Sequence, residues 1–131
     1  MSVRRAVLLV AGVISLAACG SPTVIDRAKK ASLPECSGHS LGKIVNGYFI
    51  SNLDSKTLWT AYATPEVDTL RITAEGDILY VGVKSKALLE VLFKQNTQQL
   101  FLSKLSINGK PQPFPMAETL VSNMCDKANG K

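Results

Sequence analysis

An apolar run of 13 residues, Ala6–Ala18, sits behind Arg4 and Arg5 and stops at Cys19, so every element that can build a core has to come after it. Basic residues, a short apolar stretch and then small residues are the layout of a secretory leader. Spanning a bilayer takes about 20 apolar residues, so the run is too short for a permanent transmembrane helix. Removing it also corrects the charge. The 131 residues carry 15 Lys+Arg and 10 Asp+Glu, a formal +5. Arg4 and Arg5 leave with the leader and no acid does, so 13 − 10 leaves +3. That is ordinary for a small domain, and no Lys/Arg stripe interleaved with aromatics points to nucleic acid.

The end of the run, Leu16-Ala17-Ala18-Cys19, resembles the bacterial lipobox. The resemblance implies cleavage between Ala18 and Cys19, a diacylglycerol on the Cys19 thiol, and an acyl chain such as palmitate on the new amine. Residues 1–18 are then a lipoprotein signal peptide, and the lipid is a stable membrane anchor, since two or three chains hold where one holds only marginally. Gly20 stands where inner-membrane lipoproteins of Gram-negative cells usually carry aspartate. The resemblance therefore implies the periplasmic face of the outer membrane in such an envelope.

Residues 19–35 contain Pro22 and Pro34 and a basic cluster at Arg27, Lys29 and Lys30, without a sustained apolar period. They read as a flexible tether with room for one helical turn. Setting Cys19 aside leaves Cys36 and Cys125, an even pair in an oxidising compartment, so a disulfide is expected between them. It closes a loop of roughly 90 residues, worth about 4.5 kcal/mol on the chain-entropy account. No CxxC pair exists and His39 is the single histidine, so no metal site is expected.

The folded domain is expected over 36–125. Leu41, Ile44, Val45, Tyr48 and Phe49 recur at helical spacing, with Ser40 or Ser37 as cap. Four strand candidates follow. The first is Thr57–Ala63. The second is Val67–Gly82, with a bulge favoured over a turn at Gly76-Asp77. The third, Lys86–Lys94, reads as strand in preference to helix within 86–99, because "QNT" (95–97) fits a hairpin link. The fourth is Gln98–Ile107, ending at the Asn108-Gly109 turn. Pro115 suits a helix start, and Met116, Ala117, Leu120, Val121 and Met124 share a face up to Cys125. The expectation is an α+β domain: helix, four-stranded antiparallel sheet, helix, both helices on one sheet face and joined by the disulfide, with 126–131 a frayed tail.

Cys36, Val45-Asn46-Gly47-Tyr48-Phe49, Trp59, Asn108-Gly109-Lys110-Pro111-Gln112 and Met124-Cys125 together resemble a type of small bacterial envelope lipoprotein of unassigned function. The resemblance spans roughly residues 36 to 125 and departs at 74–87. It implies the fold and the disulfide and brings no activity.

Catalytic signatures are lacking. His39 stands beside Ser37 and Ser40, but sequence neighbours do not make a dyad without an orienting acid. The acids Glu66, Asp68, Glu75, Asp77, Glu90 and Glu118 are scattered, and no phosphate-cradling glycine loop, zinc spacing or calcium loop occurs. No cofactor is expected. Trp59, Tyr62 and Tyr80 are the candidate ligand or partner contacts; on a strand, Trp59 and Tyr62 face opposite sides. The expected function is a non-enzymatic binding or structural module, anchored by lipid in the periplasm and meeting another envelope protein or a peptidoglycan component. The alternative is an inhibitor of a cell-wall-degrading enzyme such as lysozyme, presenting "VGVKSK" or "INGKPQPF" as its loop.

Overall fold

The structure, a computed structural model, describes residues 23–50 and 55–130. The leader and Cys19 lie outside the described residues. Three helices and a five-stranded antiparallel meander form an α+β domain. Helix α1 is Val24–Lys30, a 3₁₀ turn covers Pro34–Cys36, and α2 is Leu41–Tyr48. Strands β1 Leu58–Ala63, β2 Thr69–Tyr80, β3 Val83–Lys94, β4 Gln99–Ile107 and β5 Lys110–Pro111 follow, and α3 spans Phe114–Ala128. The strands lie in chain order, each antiparallel to the next.

Alternation along the strands selects the buried face. Ile72, Ala74 and Ile78 of β2, Ala87, Leu89, Val91 and Phe93 of β3, and Leu100, Leu102, Leu105 and Ile107 of β4 point into one core. Against them pack Ala28 of α1, Leu41, Ile44 and Val45 of α2, and Ala117, Leu120, Val121 and Met124 of α3. All three helices thus cover one face. Each fully buried Leu or Ile contributes about 1.5–3 kcal/mol. The strand reading of 86–94 holds, and β4 explains its own phase slip. Register shifts between Glu90 and Val91, so Ser103 is an extra residue in β4 and lets Leu102 and Leu105 face the core together.

The expected tether folds from Thr23 on. Thr23 and Asp26 form a reciprocal capping box at the start of α1. Ala28 and Leu33 are fully buried, and Arg27 Nη2 donates to Gln95 Oε1 at 3.1 Å. The segment is short and mostly polar, but two apolar side chains in the core are enough to dock it. The domain therefore begins near Thr23, not Cys36. Its other end also moves, because α3 continues past Cys125 to Ala128 and residues 126–128 are helical, not frayed.

Three further expectations change. A fifth strand of two residues, β5, pairs Pro111 with Ser106 after the Asn108-Gly109 turn. The pairing of Gly76 with Ala87 and of Asp77 with Lys86 is regular, so β2 carries no bulge there. Gly76 is required for space instead: a Cβ would come within 2.8 Å of the Phe49 ring. Met116 is 50% exposed because it lies about 100° round the helix from Ala117, which sets the buried stripe.

The chain reverses between β2 and β3 at Val81-Gly82, with φ of 51° and 76°, and between β4 and β5 at Asn108-Gly109, with φ of 51° and 82°. Both are two-residue hairpin loops with both residues left-handed, the type I′ pattern. The expected disulfide is formed: Cys36 and Cys125, with Cα atoms 5.6 Å apart, tie the 3₁₀ turn to α3.

Candidate functional site

The helices leave the second face of the sheet open, and cross-strand register arranges its side chains in rows. One row is Tyr62, Arg71, Leu92 and Phe101. The next is Thr60, Thr73, Glu90 and Lys104, and a third is Leu58, Glu75, Leu88 and Ser106. Beyond the ends of β1 and β4, Asp77 faces Lys86 and Leu79 faces Lys84.

A polar network sits in the middle of this face. The Arg71 guanidinium stacks 4.6 Å from the Tyr62 ring centroid, a cation–π contact. Arg71 Nε lies 3.8 Å from Glu90 Oε1, and Ser103 Oγ donates to Glu90 Oε2 at 3.0 Å. At 3.8 Å the ion pair is too long to be a hydrogen bond, and Arg71 Nε meets no acceptor among the described residues. Thr73, between Thr60 and Glu90 in register, is buried on the face away from the described helices. The bulge at Ser103 brings its hydroxyl to Glu90. Lys94 lies 5.6 Å from the ring of Phe101, which ends the first row.

A second cluster surrounds Asp77. The buried Ser55 hydroxyl donates to Asp77 Oδ2, while Lys84 and Lys86 Nζ lie 3.7 and 3.9 Å from its carboxylate. The Ser55 hydrogen bond first, and then the two lysines, hold the Asp77 carboxyl below its ordinary range, against the opposing effect of burial. Both lysines remain largely solvated, so each pair adds little stability. Beside this cluster Glu75, Lys86, Leu88, Lys104 and Asn108 line a shallow depression of about 620 Å³.

The sequence candidates separate in space. Trp59 pairs with Ala74 on the helix side, half-buried, with Lys29 Nζ 5.1 Å from its ring. Tyr62 is 43% exposed on the open face. Tyr80 lies at the far end of β2, packed on the helix side of the core. Burial, and then the neighbouring Tyr80, push the Tyr48 phenol above its ordinary value. Only Tyr62 therefore belongs to the open face. His39 Nε2 meets Asn129 Oδ1, which ties the loop before α2 to the end of α3. Ala18 and Cys19 lie outside the described residues.

Sequence reading missed Arg71, Glu90, Ser103, Asp77 and Ser55. Alternation places the first four on the open face, but only the register, bulge included, brings them together. Chemically the face offers cations over aromatic rings, the Arg71–Glu90 pair, the Asp77 carboxylate between two lysines, and hydroxyls. Among the described residues no three His, Cys, Asp or Glu side chains group as metal ligands, and no helix is long and apolar enough to cross a membrane. Set against known proteins, the chain matches no family model, no curated protein and no solved structure.

Proposed function

We propose that this chain is a lipoprotein of the cell envelope, anchored through lipid on Cys19, whose domain acts by binding and not by catalysis. The observation that carries this reading is the one-sided architecture: three helices cover one sheet face, and the other presents Tyr62, Arg71 and Phe101 to solvent around the largely buried Glu90. An envelope protein or a peptidoglycan component is the partner class such a face suits, at the periplasmic side of the outer membrane. The fold supports close anchoring as well. Only residues 20–22 separate Cys19 from the capping box at Thr23, and a four-residue step reaches at most about 14 Å.

The inhibitor reading has less to rest on. "INGKPQPF" holds a two-residue turn and β5, and "VGVKSK" is the apex of a β-hairpin with its returning strand. Undiminished lysozyme activity at excess purified domain removes that reading. For the anchor, globomycin treatment should accumulate uncleaved precursor. Normal processing in its presence, with Cys19→Ser still in the membrane fraction, overturns the lipoprotein assignment.

A further inference from the structure

The β2–β3 hairpin projects beyond its neighbours. Asp77 is the last residue of β2 with an outside pairing, an isolated bridge to Ile50, and Lys86 the first of β3 with one, through Asn108. From there to the apex the two strands pair, among the described residues, only with each other. The projecting part is apolar: Leu79, Val81 and Val83 are 60%, 86% and 63% exposed. Val81 stands at φ 51°, a conformation that β-branched residues avoid and that Asn, Asp or Gly fills without strain. The fold thus holds an aliphatic side chain at its outermost point against local preference. Lys84 and Lys86 follow the apex on β3, both beside Asp77 and more than half exposed.

We propose that this apex is a membrane-contacting element, with Leu79, Val81 and Val83 entering the headgroup–acyl boundary of a bilayer and Lys84 and Lys86 meeting its anionic headgroups. A convex aliphatic point beside lysines is chemistry that a deformable anionic surface accepts, with apolar side chains inserting and lysines reaching outward to phosphate. The chain preceding the described residues argues for the same occupant. It carries the Ala6–Ala18 run and Cys19, within about 14 Å of Thr23, so a bilayer is the surface this domain meets first. That argument rests on the lipoprotein reading; the composition of the apex does not. Arg27 of α1 bonds Gln95, just past the far end of β3, and β3 spans about 36 Å. The Arg27 contact of α1 and the apex therefore lie at opposite ends of β3, and a bilayer engaged both by an anchor leading into α1 and by the apex runs along the sheet's long axis.

The test uses the chain from Gly20 onward, which holds the whole core and carries no lipid, with phosphatidylglycerol vesicles against phosphatidylcholine vesicles. The domain should co-sediment with phosphatidylglycerol and be released by salt. Val81→Asn should weaken binding about tenfold, the effect of withdrawing one buried valine. Lys84→Gln with Lys86→Gln should weaken it at least as much, at about fivefold for each charge. Val81→Asn should also melt no lower than the parent, so lost binding there is not lost folding. Absence of vesicle binding by the parent, equal binding by Val81→Asn, or apex-dependent capture of a soluble protein without vesicle binding each overturns the proposal. Because no lipid is attached, none of these results bears on Cys19, which the globomycin experiment decides.

Discussion

Two turns of this sheet share one geometry and are built from different residues. Asn108-Gly109 uses the pair that a left-handed two-residue loop favours, and the asparagine works twice: its Oδ1 accepts from Lys86 N at 2.9 Å, and its own N–H donates to Lys86 O at 2.7 Å. Val81-Gly82 adopts matching φ angles with a β-branched residue first and no side-chain hydrogen bond to the backbone from it. A non-glycine residue held left-handed costs about 1–2 kcal/mol, and more when the side chain branches at Cβ. One turn is thus a structural closure, locked to the neighbouring strand. The other gives up stability to keep an apolar side chain at the far end of a hairpin. Strain of this kind persists where the surrounding structure enforces it and is a pointer to function.

Exchanging the residues tests that contrast. Asn108→Val removes a turn-adapted residue and the acceptor for Lys86 N together, and should lower stability by about 2–3 kcal/mol in urea denaturation. Val81→Asn should act oppositely, raising stability by about 1 kcal/mol. The smallest effect lies between the turns, at Asp77. Its folded carboxyl titrates below the unfolded value of about 4, so the unfolded chain takes the proton first as pH falls. The stability this group contributes is present above about pH 4 and is lost as pH drops through the lowered folded value. Asp77→Asn should flatten that part of the stability–pH curve. An unchanged slope would show that Ser55, Lys84 and Lys86 do not hold this carboxylate in solution.

How much of this was legible depended on whether each signal was local. Helix α2 was readable from apolar spacing, and Ser40 caps it through its hydroxyl accepting from Lys43 N. The strand identity of β3 followed from alternation and a short link, and the disulfide from cysteine arithmetic. Helix α1 was missed because seven residues with few apolar side chains have almost no period, although Thr23 and Asp26 spelled out its capping box. The bulge expected at Gly76-Asp77 does not exist, because the pairing runs regularly through both residues. Gly76 answers instead to the Phe49 ring, a contact distant in sequence. Strand β5 has two residues and no period at all. The open-face network was illegible for the same reason as Gly76. Arg71, Glu90 and Ser103 come together only through the register of three strands and one bulge.

The most direct measurement pairs two readouts on one protein, Val81→Asn: the thermal midpoint of the unlipidated domain, and its co-sedimentation with phosphatidylglycerol vesicles. If the apex holds Val81 for contact at the expense of stability, the midpoint rises while binding falls about tenfold. A midpoint that falls, or binding that does not change, contradicts it.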